Sequence, residues 1–396
     1  MIALNLIVEH PLRRTVEFTG WLKRRPIRFA LVARCVAAID FCARGVFHVW
    51  RQHRYLTFYK LFNMALVNAQ FKLKTEYVVG RPYKMKIEPT NICNTKCQLC
   101  PTGIGLEGRP KGKMEFPQYS RLIDRFKRHL MALDLSMWGD PLISPDIYKM
   151  IRYAHDRRIW TYISTNLHAY KLGRGQAEQL VESGLDMLTC SLHGATQETY
   201  EQYQPGKRLD DCIEKIREII ATRKRLGSAT PQIQLNFVVT RHNEHEREAF
   251  TQLARELGCK PIFSAASMNV RFIGQDKNLV SLGLSEDLKK KQRREHVEHW
   301  APKDKSFLIE PYQRILEGED EQGQWNGKKL FDCEWPWRST VVNWDGNVVT
   351  CCGSFDPAED MGNALEQPFG RIWTGRKYRM ARRSSHRRVE GGRRHE

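Results

Sequence analysis

The chain has 396 residues, a net charge of +19 and eleven cysteines. A chain of this length forms one large domain or two to three smaller ones with real hydrophobic cores, which excludes a small scaffold held together by disulfides. The odd number of cysteines and the lack of a secretory signal at the start of the sequence indicate reduced thiols and a cytoplasmic protein.

The positive charge is concentrated at the two ends of the sequence. Residues 1–84 hold 15 Lys or Arg against 4 Asp or Glu, and residues 371–396 hold 10 against 2, which leaves the body neutral. Basic ends favour an anionic surface such as the cytoplasmic leaflet, whereas a neutral body argues against a nucleic-acid channel. Residues 29–50 are apolar but carry Arg34, Asp40 and Arg44, so a helical cap, a peripheral membrane patch and a spanning helix all remain open.

After a basic, helix-like region over residues 1–82, short apolar strands alternate with amphipathic helices. Strands are predicted at Lys84–Glu88, Ala132–Trp138, Trp160–Ser164, Met187–Leu192, Gln232–Val239 and Pro261–Ser264. Helices are predicted at Gln118–His129, Pro145–Asp156, Gln176–Ser183, Leu209–Leu226 and His245–Leu257. This alternation predicts an α/β fold, a partial (β/α)6 TIM-like barrel over residues 83–275.

The rest of the chain is less regular. Residues 276–330 are polar and charge-dense, which predicts a linker containing some helix, and residues 331–373 are compact enough for a small domain with a β-hairpin. Residues 374–396 are rich in arginine pairs, and this composition predicts a disordered tail.

Three cysteines lie within eight residues directly after the first predicted strand: Cys93, Cys97 and Cys100. Iron–sulfur clusters are normally held by four thiolates, so three thiolates leave one iron open to a small molecule. The alternatives are a zinc site or an accidental spacing of buried thiols, although zinc motifs usually contain paired Cys-x2-Cys or Cys/His sets.

The Cys-x3-Cys-x2-Cys spacing after a strand resembles the radical S-adenosylmethionine (SAM) superfamily. The resemblance implies that Cys93, Cys97 and Cys100 hold a 4Fe-4S cluster whose open iron binds SAM. Reductive cleavage of SAM then yields a 5'-deoxyadenosyl radical that abstracts hydrogen from a substrate. It also implies that the carboxyl ends of the barrel strands carry the active site.

Further positions are similar to the SAM-binding motifs of that superfamily. The family's Gly-Gly-Glu-Pro motif is matched by the Gly139-Asp140-Pro segment after strand two, with Asp in place of Glu. After strand three, the Ser-Thr-Asn segment is followed by Leu167, where the superfamily usually has Gly. After strand four, His193 occupies the position at which many relatives have Asp. The resemblance implies these SAM contacts: Gly139, Asp140, Ser164, Asn166, Ser191 and Arg241. A surface ion pair for Arg241 and a structural role for His193 are the alternatives.

A second group of cysteines resembles the start of a SPASM domain, which holds auxiliary iron–sulfur clusters. A hairpin turning at Asp345-Gly346 is predicted to bring Cys333 and Cys351 together, and Cys352 follows directly. No cysteine follows Cys352, so the resemblance to a SPASM or shorter twitch domain is partial. At most one auxiliary cluster is predicted, ligated by Cys333, Cys351 and Cys352. A zinc site and a clusterless remnant are the alternatives.

The resemblance implies a radical SAM oxidoreductase or maturase, and a peptide or protein is the favoured substrate. The alternative within the class is a dehydrogenase of a sugar, an aminocyclitol or a lipid-linked substrate. From another class, the alternative is a non-catalytic, basic iron–sulfur or zinc protein that binds nucleic acid. The expected partners are SAM, a reducing protein such as a flavodoxin or ferredoxin, and a membrane surface contacted through the basic ends.

Overall fold

The computed structural model describes residues 53–106, 108–268, 286–318 and 333–385. The chain divides into two compact units, residues 1–58 and residues 59–396, and every strand of the described residues lies in the second unit. In the first unit the described residues include a short 3-10 helix at His53–Tyr55.

Nine strands form one sheet in the described part of the chain. They are β1 (Lys84–Ile87), β2 (Ala132–Asp134), β3 (Trp160–Thr165), β4 (Met187–Ser191), β5 (Gln232–Val239), β6 (Lys260–Ala265), β7 (Ser339–Val342), β8 (Asn347–Val349) and β9 (Gly362–Asn363). The α-helices are α1 (Phe58–Lys72), α2 (Phe116–Phe126), α3 (Ile147–His155), α4 (Gln176–Glu182), α5 (Gln197–Tyr203), α6 (Leu209–Arg225), α7 (Arg247–Glu256), α8 (Glu286–Trp300), α9 (Glu310–Glu317), α10 (Trp335–Arg338), α11 (Phe369–Trp373) and α12 (Arg376–Ser384).

The strand order is β6-β5-β4-β3-β2-β1-β7-β8-β9. Strands β1 to β6 are parallel and neighbours in sequence are neighbours in the sheet, as repeated βα units require. This arrangement confirms the predicted partial (β/α)6 barrel. On its other edge β1 pairs in parallel with β7, and β8 and β9 continue the sheet in antiparallel fashion. The C-terminal hairpin therefore extends the barrel sheet, which the sequence did not indicate.

The strands divide their side chains between two faces because successive residues of a strand point in opposite directions. In β5 the apolar Ile233, Leu235 and Phe237 are buried in the main core. The intervening Gln234 and Asn236 fall on the opposite face, which is the inner wall of the partial barrel. The same alternation places these polar side chains on the inner wall: Lys86, Asp134, Ser136, Tyr162, Ser164, Thr189, Ser191, Gln234, Asn236 and Ser264.

Some predicted boundaries of strands and helices differ from the observed ones. The second strand ends at Asp134 rather than Trp138, because the chain turns away into the Gly139-Asp140-Pro141 loop and a 3-10 helix. Helix α5 was not predicted at all. The predicted linker does contain helix, in α8 and α9.

The prediction that residues 374–396 are disordered is wrong for α12. Arg382 of this helix is fully buried, and its guanidinium donates to the carbonyl oxygens of Pro336, Glu76 and Trp373. The rest of that segment, residues 386–396, lies outside the described residues, as do residues 29–50. Within the described ranges, no helix is both long and apolar enough to span a bilayer.

Candidate active site

The three-cysteine loop begins immediately beyond the carboxyl end of β1. All three thiols are free of disulfides and partly buried. The hydroxyl of Thr95 lies between two of them, 3.2 Å from Cys93 Sγ and 3.4 Å from Cys97 Sγ. Burial raises the pKa of Cys97 to about 12. A buried thiolate needs a nearby cation, and a bound iron ion would supply one.

Glycines allow the loop to fold against its neighbours. A Cβ atom on Gly103 would lie 2.4 Å from the carbonyl oxygen of Cys97, and one on Gly139 would lie 2.2 Å from that of Thr90. Since real Cβ atoms do not approach this closely, only glycine fits at either position. Gly139 therefore seats the β2 loop directly on the backbone that leads into the cysteines.

Asp140 connects the loops that follow β2 and β3. Its buried carboxylate accepts hydrogen bonds from the Thr165 hydroxyl at 2.8 Å, the Asn166 backbone N–H at 2.8 Å and the Leu142 backbone N–H at 3.0 Å. Both oxygens thus accept hydrogen bonds from protein donors, so Asp140 positions the residues around it. Any contact of this segment with SAM would have to share those oxygens or use the backbone.

Asn166 lies against the cysteine loop. Its Nδ2 is 3.6 Å from Cys93 Sγ and donates to Asn94 Oδ1 at 3.1 Å and to Thr95 Oγ1 at 3.3 Å. Its backbone bond to Asp140 fixes this orientation. Sequence reasoning named Asn166 as a contact, and the structure brings it to the edge of the predicted cluster site.

Ser164 and Ser191 come together at the carboxyl ends of β3 and β4. Their hydroxyl oxygens are 3.4 Å apart, and the Ser164 backbone N–H donates to Ser136 Oγ at 2.7 Å. Both serines are only partly buried, so their hydroxyls are accessible from the inner wall. This pair is a polar surface of the kind that binds ribose or carboxylate oxygens.

Both departures from the family motifs occupy left-handed backbone. Leu167 has φ 63° and is fully buried, and His193 has φ 59°. A glycine adopts this region without strain, which explains why glycine is usual at the position of Leu167. Burial of the Leu167 side chain offsets a strain of about 1–3 kcal/mol.

His193 has a structural environment. Its Nδ1 accepts the Val238 backbone N–H at 3.1 Å, its carbonyl accepts from Asn243 Nδ2 at 2.8 Å, and its ring packs on Tyr203. Burial lowers the pKa of His193 to about 3, so the ring is neutral near pH 7. These contacts favour the structural alternative over a general acid or base.

Arg241 lies apart from the other predicted contacts. The residue is exposed, its Nε donates to the carbonyl oxygen of Ala301 at 3.3 Å, and its backbone N–H donates to that of Trp300. These bonds tie the end of β5 to the end of α8. Neither bond involves Ser164, Asn166 or Ser191.

The structure adds an ion pair that sequence reasoning missed. Lys86 of β1 and Asp134 of β2 are neighbours in register, and their side chains form a salt bridge on the inner wall. Asp134 is 1% exposed and Lys86 17% exposed. The Asp134 carboxylate raises the pKa of Lys86 against the opposing effect of burial, and Cys352 and Tyr162 act on Lys86 in the same direction.

The missed pair has a detectable signal in the sequence. A lysine and an aspartate at inward positions of two adjacent parallel strands are mostly buried and therefore favour pairing with each other. Their register becomes visible only after the strands have been aligned.

A second missed residue, Glu88, joins the barrel to the C-terminal hairpin. It is fully buried, and its carboxylate accepts the backbone N–H groups of Trp138 at 3.1 Å and Trp344 at 3.4 Å. Burial raises the pKa of Glu88 to about 7. Trp138 also donates from its indole to the carbonyl oxygen of Ser354 at 3.0 Å.

Arg109 crosses the same junction from the loop that follows the cysteines. Its Nη1 donates to Asp345 Oδ2 at 2.9 Å and to Asp360 Oδ2 at 3.0 Å, and its side chain is 7% exposed. Arg109 thus anchors the loop after the cysteines to the hairpin turn at Asp345 and to Asp360, which precedes β9.

The predicted auxiliary cysteines lie around the start and end of that hairpin. Gly346 turns the hairpin with φ 87°, as the Asp345-Gly346 pair predicts. Cys333 and Cys352 pack on a small apolar cluster that contains Trp335 and Val349, and Cys351 is exposed. Burial and the neighbouring Cys352 raise the pKa of Cys333, and Cys352 also raises the pKa of Cys351. Among the described residues, no three His, Cys, Asp or Glu side chains are close enough to share a single metal ion.

Comparison with known proteins agrees with this geometry. A model of the radical SAM superfamily matches residues 87–263, and a model of the iron–sulfur cluster-binding SPASM domain matches residues 333–393. The chain therefore contains a radical SAM domain and a SPASM domain. A radical SAM domain uses a 4Fe-4S cluster and SAM, and the SPASM domain adds auxiliary cluster binding.

Two relatives match the radical SAM part of the chain. The AdoMet-dependent heme synthase of Methanosarcina barkeri is 27% identical over 183 residues, 46% of this chain and 49% of the relative. The PqqA peptide cyclase of Ruegeria pomeroyi is 26% identical over 189 residues, 47% of each chain. This radical SAM protein therefore spans about half the length of these relatives.

A solved structure covers more of the radical SAM chain at lower identity. Streptococcus suis SuiB bound to its precursor peptide SuiA has a TM-score of 0.55 at 16% identity, with 82% of this chain and 71% of that chain covered. A likeness at this identity establishes the fold, which includes the barrel and the C-terminal extension.

Proposed function

We propose that this radical SAM protein is a maturase that abstracts hydrogen from a peptide or protein substrate. In this proposal Cys93, Cys97 and Cys100 hold the 4Fe-4S cluster, and the domain boundaries are those predicted from the sequence, with the final helix assigned to the SPASM region. Two observations carry the proposal: Asn166 contacts the cysteine loop, and the hydroxyls of Ser164 and Ser191 meet at the carboxyl ends of β3 and β4.

When bound, SAM and the cluster supply a 5'-deoxyadenosyl radical. The contribution of the chain is to bind and to orient. Asn166 holds the cysteine loop through three donor contacts, while Ser164 and Ser191 offer hydroxyls to SAM oxygens. Asp140 keeps Thr165 and Asn166 in place, and Gly139 allows its loop to lie on the backbone before Cys93. Arg241 is the weakest of the proposed contacts because of its bonds to α8.

A peptide substrate is supported by the polarity of the inner wall. Thr189 and Gln234 are neighbours in register, and both are at least 95% buried. The Gln234 Oε1 atom has no hydrogen-bond partner within the described residues. Buried polar atoms of this kind usually have a partner, and the amide groups of a peptide would supply one. The names of two similar proteins, a peptide cyclase and a protein bound to its precursor peptide, agree with this substrate class.

An auxiliary cluster at Cys333, Cys351 and Cys352 would complete the proposed enzyme. The three thiols lie in the segment that extends the barrel sheet, and Lys86 on the inner wall is electrostatically coupled to Cys352. Anaerobic reconstitution followed by iron and sulfide analysis tests this part. The triple Ala variant is expected to lose the content of one cluster, and an unchanged content would contradict it. Cys259→Ala, outside both groups, is the control.

Protease sensitivity of the substrate tests the peptide assignment. Reconstituted enzyme is given SAM, reductant and cell-extract fractions, before and after protease digestion, and 5'-deoxyadenosine is measured by chromatography. We expect a macromolecular or peptide fraction to stimulate its formation and digestion to abolish that stimulation. Stimulation that survives digestion would contradict a peptide substrate. Cys97→Ala measures the background.

A further inference from the structure

A cavity of about 380 Å³ lies between the barrel and the C-terminal region, at the end of the strands opposite to the cysteine loop. Arg81 precedes β1 by three residues and His129 precedes β2 by three, so both lie at the amino ends of the strands. The cysteines lie at the carboxyl end of β1. The remaining lining comes from Arg125 and Phe126 at the end of α2 and from residues 366–370.

An arginine and a histidine that line this cavity have unused hydrogen-bonding capacity. Arg81 Nη1 and His129 Nδ1 are buried atoms without a hydrogen-bond partner in the described ranges. Arg125 Nη1 donates to the carbonyl oxygen of Ala364 at 2.6 Å, which fixes its guanidinium at the rim. The lining also includes the carboxylate of Glu366, which is exposed. Two guanidinium groups against one carboxylate leave the cavity with an excess of positive charge.

The arginine at the back of the cavity is held in place. The Arg81 backbone N–H donates to Asn63 Oδ1 at 2.8 Å, and its carbonyl accepts from Asn63 Nδ2 at 2.9 Å. A Cβ atom on Gly370 would lie 3.1 Å from Arg81 Nη2, so the absence of a side chain there gives the guanidinium its place. The bonds to Asn63 hold the Arg81 backbone, and the planar guanidinium itself is preorganised, so it loses less entropy per hydrogen bond formed to an anion.

The electrostatic environment agrees with the geometry. Burial lowers the pKa of His129 to about 4, and the positive charges of Arg81, Arg128 and Lys60 add to this effect. His129 is therefore neutral at pH 7. A neutral imidazole can donate one hydrogen bond to an anion.

We propose that this cavity binds a phosphate-type anion through Arg81, Arg125 and His129. Guanidinium groups match the geometry of phosphate oxygens, and the cavity has the size of a small-molecule site. The site is independent of the proposed peptide chemistry, because its residues approach the amino ends of the strands rather than the cysteine loop.

Two sources of such an anion fit the surroundings. The Tyr59 ring packs edge-on against His129 with ring centroids 5.2 Å apart. The same helix α1 exposes Phe62 (59% exposed), and Leu73 just beyond its end is 75% exposed. Exposed apolar side chains on the helix that contacts His129 suit the headgroup of an anionic phospholipid, whereas the cavity alone suits a soluble phosphorylated molecule.

Phosphate binding by the full reconstituted chain tests the proposal. Inorganic phosphate is titrated at constant ionic strength, by calorimetry and by the shift in thermal unfolding temperature. The variants are Arg81→Gln, Arg125→Gln and the double variant. Arg121→Gln is the matched control, because Arg121 is exposed on the same helix but does not line the cavity.

We expect saturable phosphate binding in wild type and in Arg121→Gln, and a loss of affinity of about tenfold or more in each cavity variant. Arg125 is exposed, so Arg125→Gln remains informative if Arg81→Gln fails to fold. Equal affinity in the double variant and in wild type would overturn the proposal. So would a wild-type response to phosphate no larger than the response to chloride.

Vesicle sedimentation then distinguishes the two sources. Phosphatidylcholine vesicles with and without phosphatidylglycerol are compared at one salt concentration. A lower affinity of the double variant than of Arg121→Gln for the anionic vesicles would identify a lipid headgroup. Equal vesicle binding, with phosphate binding still lost in the double variant, would identify a soluble phosphorylated molecule.

Discussion

Glu88 is a buried carboxyl group whose protonation is coupled to stability. Burial raises its pKa from 4.5 to about 7 in the folded chain, so the folded state binds the proton more tightly than the unfolded state. Its contribution to stability is therefore present below pH 4.5 and is lost as the pH rises toward 7.

Glu88→Gln removes this titration. We expect the free energy of unfolding of wild type, relative to Glu88→Gln, to fall by about 3 kcal/mol between pH 4.5 and pH 7.5. Urea unfolding of both proteins at several pH values measures the difference. Parallel pH curves would show that the Glu88 pKa is not raised.

Lys86 and Asp134 are a buried pair in which each charge compensates the other. Lys86→Met leaves the Asp134 carboxylate, only 1% exposed, without its cation. We expect a destabilisation of about 3–5 kcal/mol, and recovery of most of it in Lys86→Met/Asp134→Leu. Chemical denaturation checks both values, with Lys84→Met as a control on the same strand. A double variant as unstable as the single would indicate that packing, and not charge, is lost.

The β2 loop and the cysteine loop act as one element because Gly139 brings their backbones into contact. We expect Gly139→Ala to fold with reduced iron incorporation after reconstitution, since one of the two backbones must move. Gly173→Ala is the control. Its φ of 66° also favours glycine, but no atom lies within 4 Å of a Cβ placed there. Normal iron content in Gly139→Ala would show that the loop tolerates the shift.

The junction between the cysteine loop and the C-terminal hairpin depends on Arg109. Arg109→Met leaves Asp345 and Asp360 without their shared cation, and we expect a loss of about 3–5 kcal/mol. Arg152→Met is the control, because its exposed pair with Asp156 contributes about 0.5 kcal/mol or less. Urea denaturation measures both. Similar small losses in the two variants would mean that Arg109 is not a principal anchor.

Much of the barrel could be predicted at the scale of elements. Alternating strands and helices of ordinary length placed β1 to β6 within a few residues, and Gln232–Val239 was predicted with its observed bounds. The pairing of β7 with β1 could not be predicted, because a four-residue strand carries no periodicity that identifies a distant partner. Helix α5 was missed because its seven mostly polar residues resemble a loop.

The residues of the candidate site could be predicted where they belong to a sequence motif. Cys93, Asn166, Ser164 and Ser191 were named from local sequence, and the structure pairs Asn166 with Cys93 and Ser164 with Ser191. Lys86 and Asp134 carry no motif, and a lysine in a strand usually indicates a solvent-facing position. Arg382 was missed for a similar reason, since an arginine-rich segment usually indicates a solvated tail.

At the scale of the whole molecule, the paired strands β1 and β7 connect the two cysteine groups. The cysteine loop follows the carboxyl end of β1, and β7 beside it leads through the hairpin to Cys351 and Cys352. Among the described residues of this region, Lys86 interacts electrostatically with Cys352, and Glu88 interacts with Arg109 of the loop that follows the cysteines. A single sheet thus positions both predicted cluster sites around one polar interior.

The cleavage of SAM by the three-cysteine site is the central claim. Wild type, Cys97→Ala and the control Cys259→Ala are reconstituted anaerobically with iron and sulfide, then given dithionite and SAM, and 5'-deoxyadenosine is measured by chromatography. We predict its release by wild type and by Cys259→Ala, and only background from Cys97→Ala. Equal release by Cys97→Ala, or no release by wild type together with bound zinc, would contradict the account.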